Sequence, residues 1–228
     1  MYIKIAQVIL VSYFFAAPAV AEPTRQNLPV VQVETTAGSL RIELYPQKAP
    51  ITVRNFLRYV DQGFYLDTVF HRLLSGRLLQ GGGFVLRADH LAAKTTGLNK
   101  AIRLESKNGL SNQRAFVAMA RGSKPHSATS QFFINLTNND QFDYPNPDGH
   151  GFAVFGKVVW GMKTVDRIAD TSTRVLGAYR DVPLQPVVIK DMYRYPKNKA
   201  QKKQRRSQLS KSLKKKSRNK ASESNKSS

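Results

Sequence analysis

Polar and apolar residues alternate from Val31 to Leu44. Val31 and Val33 stand between polar neighbours, Ala37-Gly38 supplies a turn, and Leu40, Ile42 and Leu44 resume the period of two, predicting a β-hairpin. The period then changes. Pro50 sits where a first helical turn tolerates it, Val53, Phe56, Leu57 and Val60 gather on one face, and Gly63 stops the segment, which predicts a helix. Beyond it, short apolar runs bounded by glycine and polar turns predict strands at residues 68–74, 78–80, 115–120, 131–136, 152–159 and 186–193. Met162, Val165, Ile168 and Ala169 recur at helical spacing after the Trp160-Gly161 break and predict a second short helix. About eight strands, two helices and few connections long enough for parallel crossovers point to a mainly β fold. The expected architecture is an antiparallel barrel with its ends covered by the helices.

Charge and hydropathy divide the chain into parts that need not all fold. Lys4 precedes an apolar run from Ile5 to Ala17, followed by Ala19, Val20 and Ala21 in the small-x-small pattern that a signal peptidase reads. The run, interrupted by Gln7 and Ser12, is short for a permanent span of about 30 Å of hydrocarbon. Residues 1–21 are therefore expected to be a signal peptide cut after Ala21, and the product a periplasmic or secreted protein. Residues 22–29 form an N-terminal extension, 30–195 the folded domain and 196–228 a basic tail. Residues 22–195 hold 22 Lys/Arg against 14 Asp/Glu, ordinary for a soluble domain, whereas residues 196–228 hold 13 Lys/Arg and the single acid Glu223. With Leu209, Leu213 and two alanines as its apolar content, the tail is expected to be disordered. There is no cysteine, so stability must come from packing.

Candidate chemistry sits in three segments: FHRLLSGRLLQGGGF from Phe70 to Phe84, AMARGSKPHSATSQFFINL from Ala118 to Leu136, and GFAVFGKVVWGM from Gly151 to Met162. In this order and spacing they closely resemble the cyclophilin family, in particular the periplasmic cyclophilins of Gram-negative bacteria, over Val31 to Met192. The resemblance implies a closed eight-stranded antiparallel β-barrel capped by two α-helices, a proline-binding groove on one outer side, no cofactor, and peptidyl-prolyl cis-trans isomerase activity on proline-containing polypeptides. Such a reaction breaks no covalent bond. An X-Pro amide turns over in tens to hundreds of seconds across a barrier near 20 kcal/mol, and a site need only hold the twisted amide better than either planar form.

By the resemblance, Arg72 would aim fixed donors at the prolyl nitrogen and neighbouring carbonyl as the amide twists. Gln80 would hold the substrate carbonyl and orient the arginine, Gln131 would be a second groove glutamine, and Phe133 the floor of the proline pocket. Leu78, Met119, Ala120 and Phe142 would complete its wall, and His71 and Phe152 would also border the substrate. Local alternation leaves open whether Phe132 or Phe133 points outward. Three positions depart from the well-known eukaryotic pattern. Arg77 replaces a rim phenylalanine, Gln141 stands where a rim tryptophan is usual, and Phe152 replaces a histidine. These changes lead us to expect reduced turnover, a preference for peptides acidic near the proline, and weak cyclosporin binding.

Other chemistry finds little support in the pattern. His71, His90, His126 and His150 do not fall at metal-ligand spacings, so no metal is expected, and Ser127 and Ser130 stand in no nucleophile elbow. The Asn135-Leu136-Thr137 triplet fits a glycosylation acceptor only by chance composition. The tail reads either as a solvated extension or as an electrostatic anchor to an anionic envelope surface or acidic partner, with nucleic acid less favoured for an exported chain. A monomer is expected. Two functions follow: an isomerase, carried by Arg72, Gln80 and Phe133, or a module of the same fold that binds peptides or acidic surfaces without turnover, carried by Arg77, Gln141 and the tail.

Overall fold

The computed structural model describes residues 28–197; the expected signal peptide, most of the expected N-terminal extension and the tail beyond Lys197 lie outside the described residues. The first hairpin is β1 (Val30–Thr35) and β2 (Gly38–Leu44), followed by helix α1 (Pro50–Asp61). Strands β3 (Thr68–Leu74), β4 (Leu78–Arg87) and β5 (His90–Ala93) come next, then β6 (Phe116–Met119), β7 (Phe132–Asn135) and β8 (Val154–Trp160). Helix α2 (Met162–Ala169), a hairpin of β9 (Thr173–Leu176) and β10 (Tyr179–Pro183), and β11 (Val187–Tyr195) complete the order.

Hydrogen bonds run through β3-β11-β1-β2-β8-β6-β7-β4, and β4 pairs back with β3, closing a barrel of eight strands. These are the strands that the alternation predicts. Where β4 runs on beyond Gln80, its far end pairs with β5, which the sequence reading missed, as it missed the β9-β10 hairpin. The barrel interior is filled by Val31, Val33, Leu40, Ile42, Leu79, Val117, Ile134 and Ile189, all fully buried. An aromatic cluster joins α1 to this core, with Phe56 centred 5.5 Å from Tyr65, 5.5 Å from Phe132 and 5.0 Å from Phe155.

Helix α1 begins with proline and its N-cap, Ala49, offers no side-chain acceptor. The free amides are satisfied from far along the chain: the Glu105 carboxylate accepts from the Ile51 and Thr52 N–H groups at 3.0 and 2.8 Å and from the Thr52 hydroxyl at 2.8 Å. An acid at the positive end of a helix is favourable on both counts.

Candidate active site

Register decides which side chains leave the barrel. Arg72 on β3 faces Gln80 on β4, Gln80 faces Phe133 on β7, Phe133 faces Ala118 on β6, and Ala118 faces Val154 on β8. At about 4.8 Å between neighbouring strands, these five form one row across the outer surface. Phe132 is paired with Gly81 and Met119 instead and packs its ring edge-on against Tyr65 and Phe70 inside the barrel. The ring left open by the sequence pattern is thus settled: Phe133 is the outer one.

A second apolar cluster lies outside the barrel wall. Leu78, Ala118, Ala120, Phe133 and Val154 form it, with Leu74, Leu110, Phe116, Phe142 and Phe152 partly buried against it. Phe133, Phe142 and Phe152 meet edge to face in a triad, with centroid separations of 5.8, 5.5 and 5.4 Å. Such contacts each add about 1 kcal/mol beyond area burial. Met119 is a correction. It shares its parity with Phe132, is almost fully buried in the barrel interior and forms no part of the outer cup, whereas its neighbours Ala118 and Ala120 do.

Arg72 reaches the surface through a bulge. Phe70 pairs with Gly81 and Arg72 with Gln80, so His71 is an extra residue on β3. This lets Phe70 and Leu73 both enter the core while Arg72 stays outside, with its side chain about half exposed. Its Nε lies 3.7 Å from the Asp181 carboxylate of β10, a partner that no local pattern announces. On the other side, the Gln80 amide donates to the Gln131 side-chain carbonyl oxygen at 2.8 Å. Gly83 makes room for this pair: a Cβ there would lie 2.5 Å from the Gln131 side chain.

His71 also differs from its expected place at the substrate. It is 5% exposed and its ring packs 4.5 Å from that of Phe84, beneath the surface that Arg72 occupies. Burial, opposed by a backbone hydrogen bond at Val69 and reinforced by the neighbouring Arg72 charge, pushes its pKa down to about 4. The imidazole is therefore neutral in the fold. Because the unfolded chain takes up a proton near pH 6.5 and the folded one only near pH 4, stability is full above about 6.5 and falls as the pH drops through that window. The loss amounts to at most about 3 kcal/mol. A His71→Gln variant is expected to flatten the fall of the unfolding midpoint between these two pH values, as followed by thermal circular dichroism.

The rim is tied down by polar groups that the sequence reading missed. Arg121, whose side chain is 2% exposed, sits 4.7 Å from the Phe152 ring centre and donates to the Gly151 carbonyl at 3.0 Å and to Asp148 at 2.7 Å. Behind Phe142, Asn112, Asn135 and Asn139 are fully buried and linked: Asn139 donates to Asn135 at 2.8 Å and Asn135 to Asn112 at 3.2 Å. The Asn112 amide and side chain both donate to Asp143, at 2.7 and 2.8 Å. Gln141 is held by this ladder, its amide donating to Asn139 at 3.0 Å. Burial of Asn135 also removes it as a glycan acceptor. Arg77, the rim cation, lies over the Phe142 ring at 5.6 Å from its centre, so its charge roofs the cup without filling it. The only sequence signal for this frame is the density of Asn between 108 and 139.

A sequence profile of the cyclophilin type peptidyl-prolyl cis-trans isomerase/CLD family matches residues 30–194. Peptidyl-prolyl cis-trans isomerase A of Dickeya dadantii is 43% identical over 184 residues, covering 81% of this chain and 92% of that protein. Peptidyl-prolyl cis-trans isomerase B of Escherichia coli is 42% identical over 165 residues, 72% of this chain and 98% of that protein. Among solved structures, a cyclophilin type peptidyl-prolyl cis-trans isomerase of Cryptosporidium parvum, crystallised in the presence of the dipeptide Ala-Pro, superposes with a TM-score of 0.58 at 25% identity, over 72% of this chain and 97% of that one.

Proposed function

Because the chain belongs to the cyclophilin-type peptidyl-prolyl cis-trans isomerases and is such an enzyme, we propose that it turns X-Pro bonds at the outer cup, with Arg72 as the group that favours the twisted amide. The observation that carries this is the cross-strand row, which sets a half-exposed guanidinium and the Gln80–Gln131 pair beside an apolar floor made by Phe133.

The proline ring enters the cup of Phe133, Leu78, Ala120, Phe142 and Phe152. Gln131 and Gln80 hold the backbone on the N-terminal side of the bond. As the amide loses conjugation, its nitrogen becomes pyramidal and basic, and Arg72 donates to it. A fixed donor that gains strength only on twisting lowers the barrier without tightening the ground state. An acceleration of about 10^5 asks for about 7 kcal/mol, shared between that donor, the carbonyl contacts and exclusion of water from the cup. His71, neutral and buried, supports the strand beneath Arg72 and moves no proton.

The rim tunes this reaction. Arg77 over Phe142 adds a positive charge beside the cup, and Gln141 offers an amide where a tryptophan would give an indole surface. Turnover is consequently lower on neutral peptides, acidic residues near the proline are preferred, and cyclosporin binds weakly. Peptide pairs differing only by Glu or Lys beside Ala-Pro test this, with the exchange rate read by NMR. The wild type is expected to favour the Glu peptide severalfold, and Arg77→Phe to erase that preference while raising turnover on a neutral peptide. Equal rates on both peptides in the wild type would sink the rim reading and leave the isomerase intact.

The setting is export. Residues 1–21 direct the chain across a membrane and are removed after Ala21, so the monomeric enzyme works on exported polypeptides in the periplasm or outside the cell. The 13 Lys/Arg of residues 196–228 then hold it near an anionic envelope surface.

A further inference from the structure

The side of the barrel reached by following β8 away from the cup carries an exposed apolar patch. Trp160 and Val159, at the far end of β8, are 51% and 49% exposed. Val154, at the cup, lies six residues away on the same strand, about 20 Å at 3.3 Å per residue. Beside Trp160 opens a hollow of about 610 Å³ whose floor is Val158, Val159, Trp160 and Met162, with Lys163 and Arg167 at its edge and no carboxylate among its lining residues. The acids around it have partners of their own: Asp166 pairs with Arg114 at 2.8 Å, Glu43 faces Lys157 across β2 and β8, and Glu34, opposite the lining residue Ser39, accepts from the Tyr193 hydroxyl at 2.8 Å.

The same patch is where the chain leaves the described fold. The Arg41 guanidinium lies 4.8 Å from the Trp160 ring centre and 3.9 Å from that of Tyr195, the last residue of β11. Trp160, Arg41 and Tyr195 thus form one cation–aromatic stack, and residues 196–228, with 13 Lys/Arg against one acid, depart from its edge. A surface that suits this face must be anionic at the outside and apolar just beneath. A nucleic-acid duplex, whose base faces are stacked inside, offers the first without the second. A bilayer of anionic lipid offers both, and an aromatic ring with a polar edge beside cations is the residue type that settles at its interface.

We propose that the Trp160 face is a docking surface for an anionic lipid bilayer, with Trp160 and Val159 entering the headgroup boundary and the basic tail adding attraction. This rests on the envelope reading of the tail and assigns the folded surface that works with it. Each basic residue near such a surface contributes about 1 kcal/mol, or about fivefold in affinity, screened by salt. The cup stays open to solvent in this pose, so the docked enzyme can still turn over peptide.

Trp160 is the single tryptophan of the chain, so its emission reports this face alone. The test uses residues 22–228 with vesicles of phosphatidylglycerol and phosphatidylcholine in equal parts, followed by Trp emission, quenching by acyl-chain bromines and co-sedimentation. The expected result is a shift to shorter wavelength with quenching, reversed by high salt and absent with phosphatidylcholine alone. Lys163→Glu with Arg167→Glu is expected to weaken binding about 25-fold or more. Val159→Asp should weaken it at least tenfold while peptide turnover stays unchanged, which shows that the variant folds. Co-sedimentation with unmoved emission would overturn the docking face and leave the tail as the sole anchor. No co-sedimentation at low salt would overturn both. An emission shift that grows with protein concentration without lipid would assign the face to a second copy instead.

Discussion

Arg72→Ala is expected to lower kcat/KM for an Ala-Pro peptide about a hundredfold, mostly in kcat, while leaving the unfolding midpoint within a few degrees of the wild type. The guanidinium is about half exposed and its one ion pair, to Asp181 at 3.7 Å, is a surface contact worth less than about 1 kcal/mol. Losing it cannot unfold a barrel. In the proposed mechanism its hydrogen bond to a basic, pyramidal nitrogen exists only in the twisted state, and charged hydrogen bonds of this kind contribute about 1.5–3 kcal/mol, or about 10- to 100-fold in rate. Arg72→Lys should recover only part of the loss, because an ammonium keeps the charge and forfeits the planar fork. A protease-free NMR exchange assay beside thermal unfolding separates the cases. A variant that keeps its rate would show that Gln80, Gln131 and the cup carry the twist without the arginine.

Phe133→Ala is expected to fail in the opposite manner, losing stability and substrate affinity together. The ring is 3% exposed and anchors the triad with Phe142 and Phe152, so its removal costs about 3 kcal/mol, in the range of large-to-small core substitutions. For a domain of this size that lowers the midpoint by about 10 °C. The same truncation removes the floor proposed for the proline ring, and KM should rise at least tenfold. Phe133→Leu, which keeps most of the apolar volume, should recover most of the stability but less of the affinity. Phe132→Ala serves as the control, because that ring belongs to the interior: it should cost stability with KM unchanged. If both variants raise KM alike, the assignment of faces by register is wrong.

The barrel strands were legible because each alternates apolar and polar residues, with Val31 and Val33 facing Leu40 and Ile42 across the first hairpin. Glycine misled the reading at β4. Gly81–Gly83 looks like a break, yet the backbone keeps pairing there because Phe70 and Gln131 occupy the space that side chains would need. The β9-β10 hairpin was missed since its Arg174, Val175 and Arg180 are exposed and its packing is confined to a few positions, chiefly Val182, buried against Val69 and Leu91, and Pro183.

The site was legible as a set of positions but not as a set of directions. The resemblance selected Arg72, Gln80 and Phe133, which the structure brings to one row, Gln131, which it sets against Gln80, and also Met119, which parity sends inside. Faces follow from which residue sits opposite which, a property of two strands that one segment does not contain. The same holds for Arg121 with Asp148, Arg72 with Asp181 and Asn112 with Asn135, pairs that the fold brings near and that stand at separations no local motif spans.

The wall between Phe132 and Phe133 is a single strand thick, yet it divides two apolar phases that share no contact cluster. Chain neighbours can therefore drift under different selection: the inner set answers to folding alone, the outer set to folding and, at the proposed site, to the substrate as well. A barrel of this kind can be refitted from the outside while its interior stays fixed, and changes in the two sets should combine additively where the altered side chains stand more than about 7–10 Å apart and share no partner.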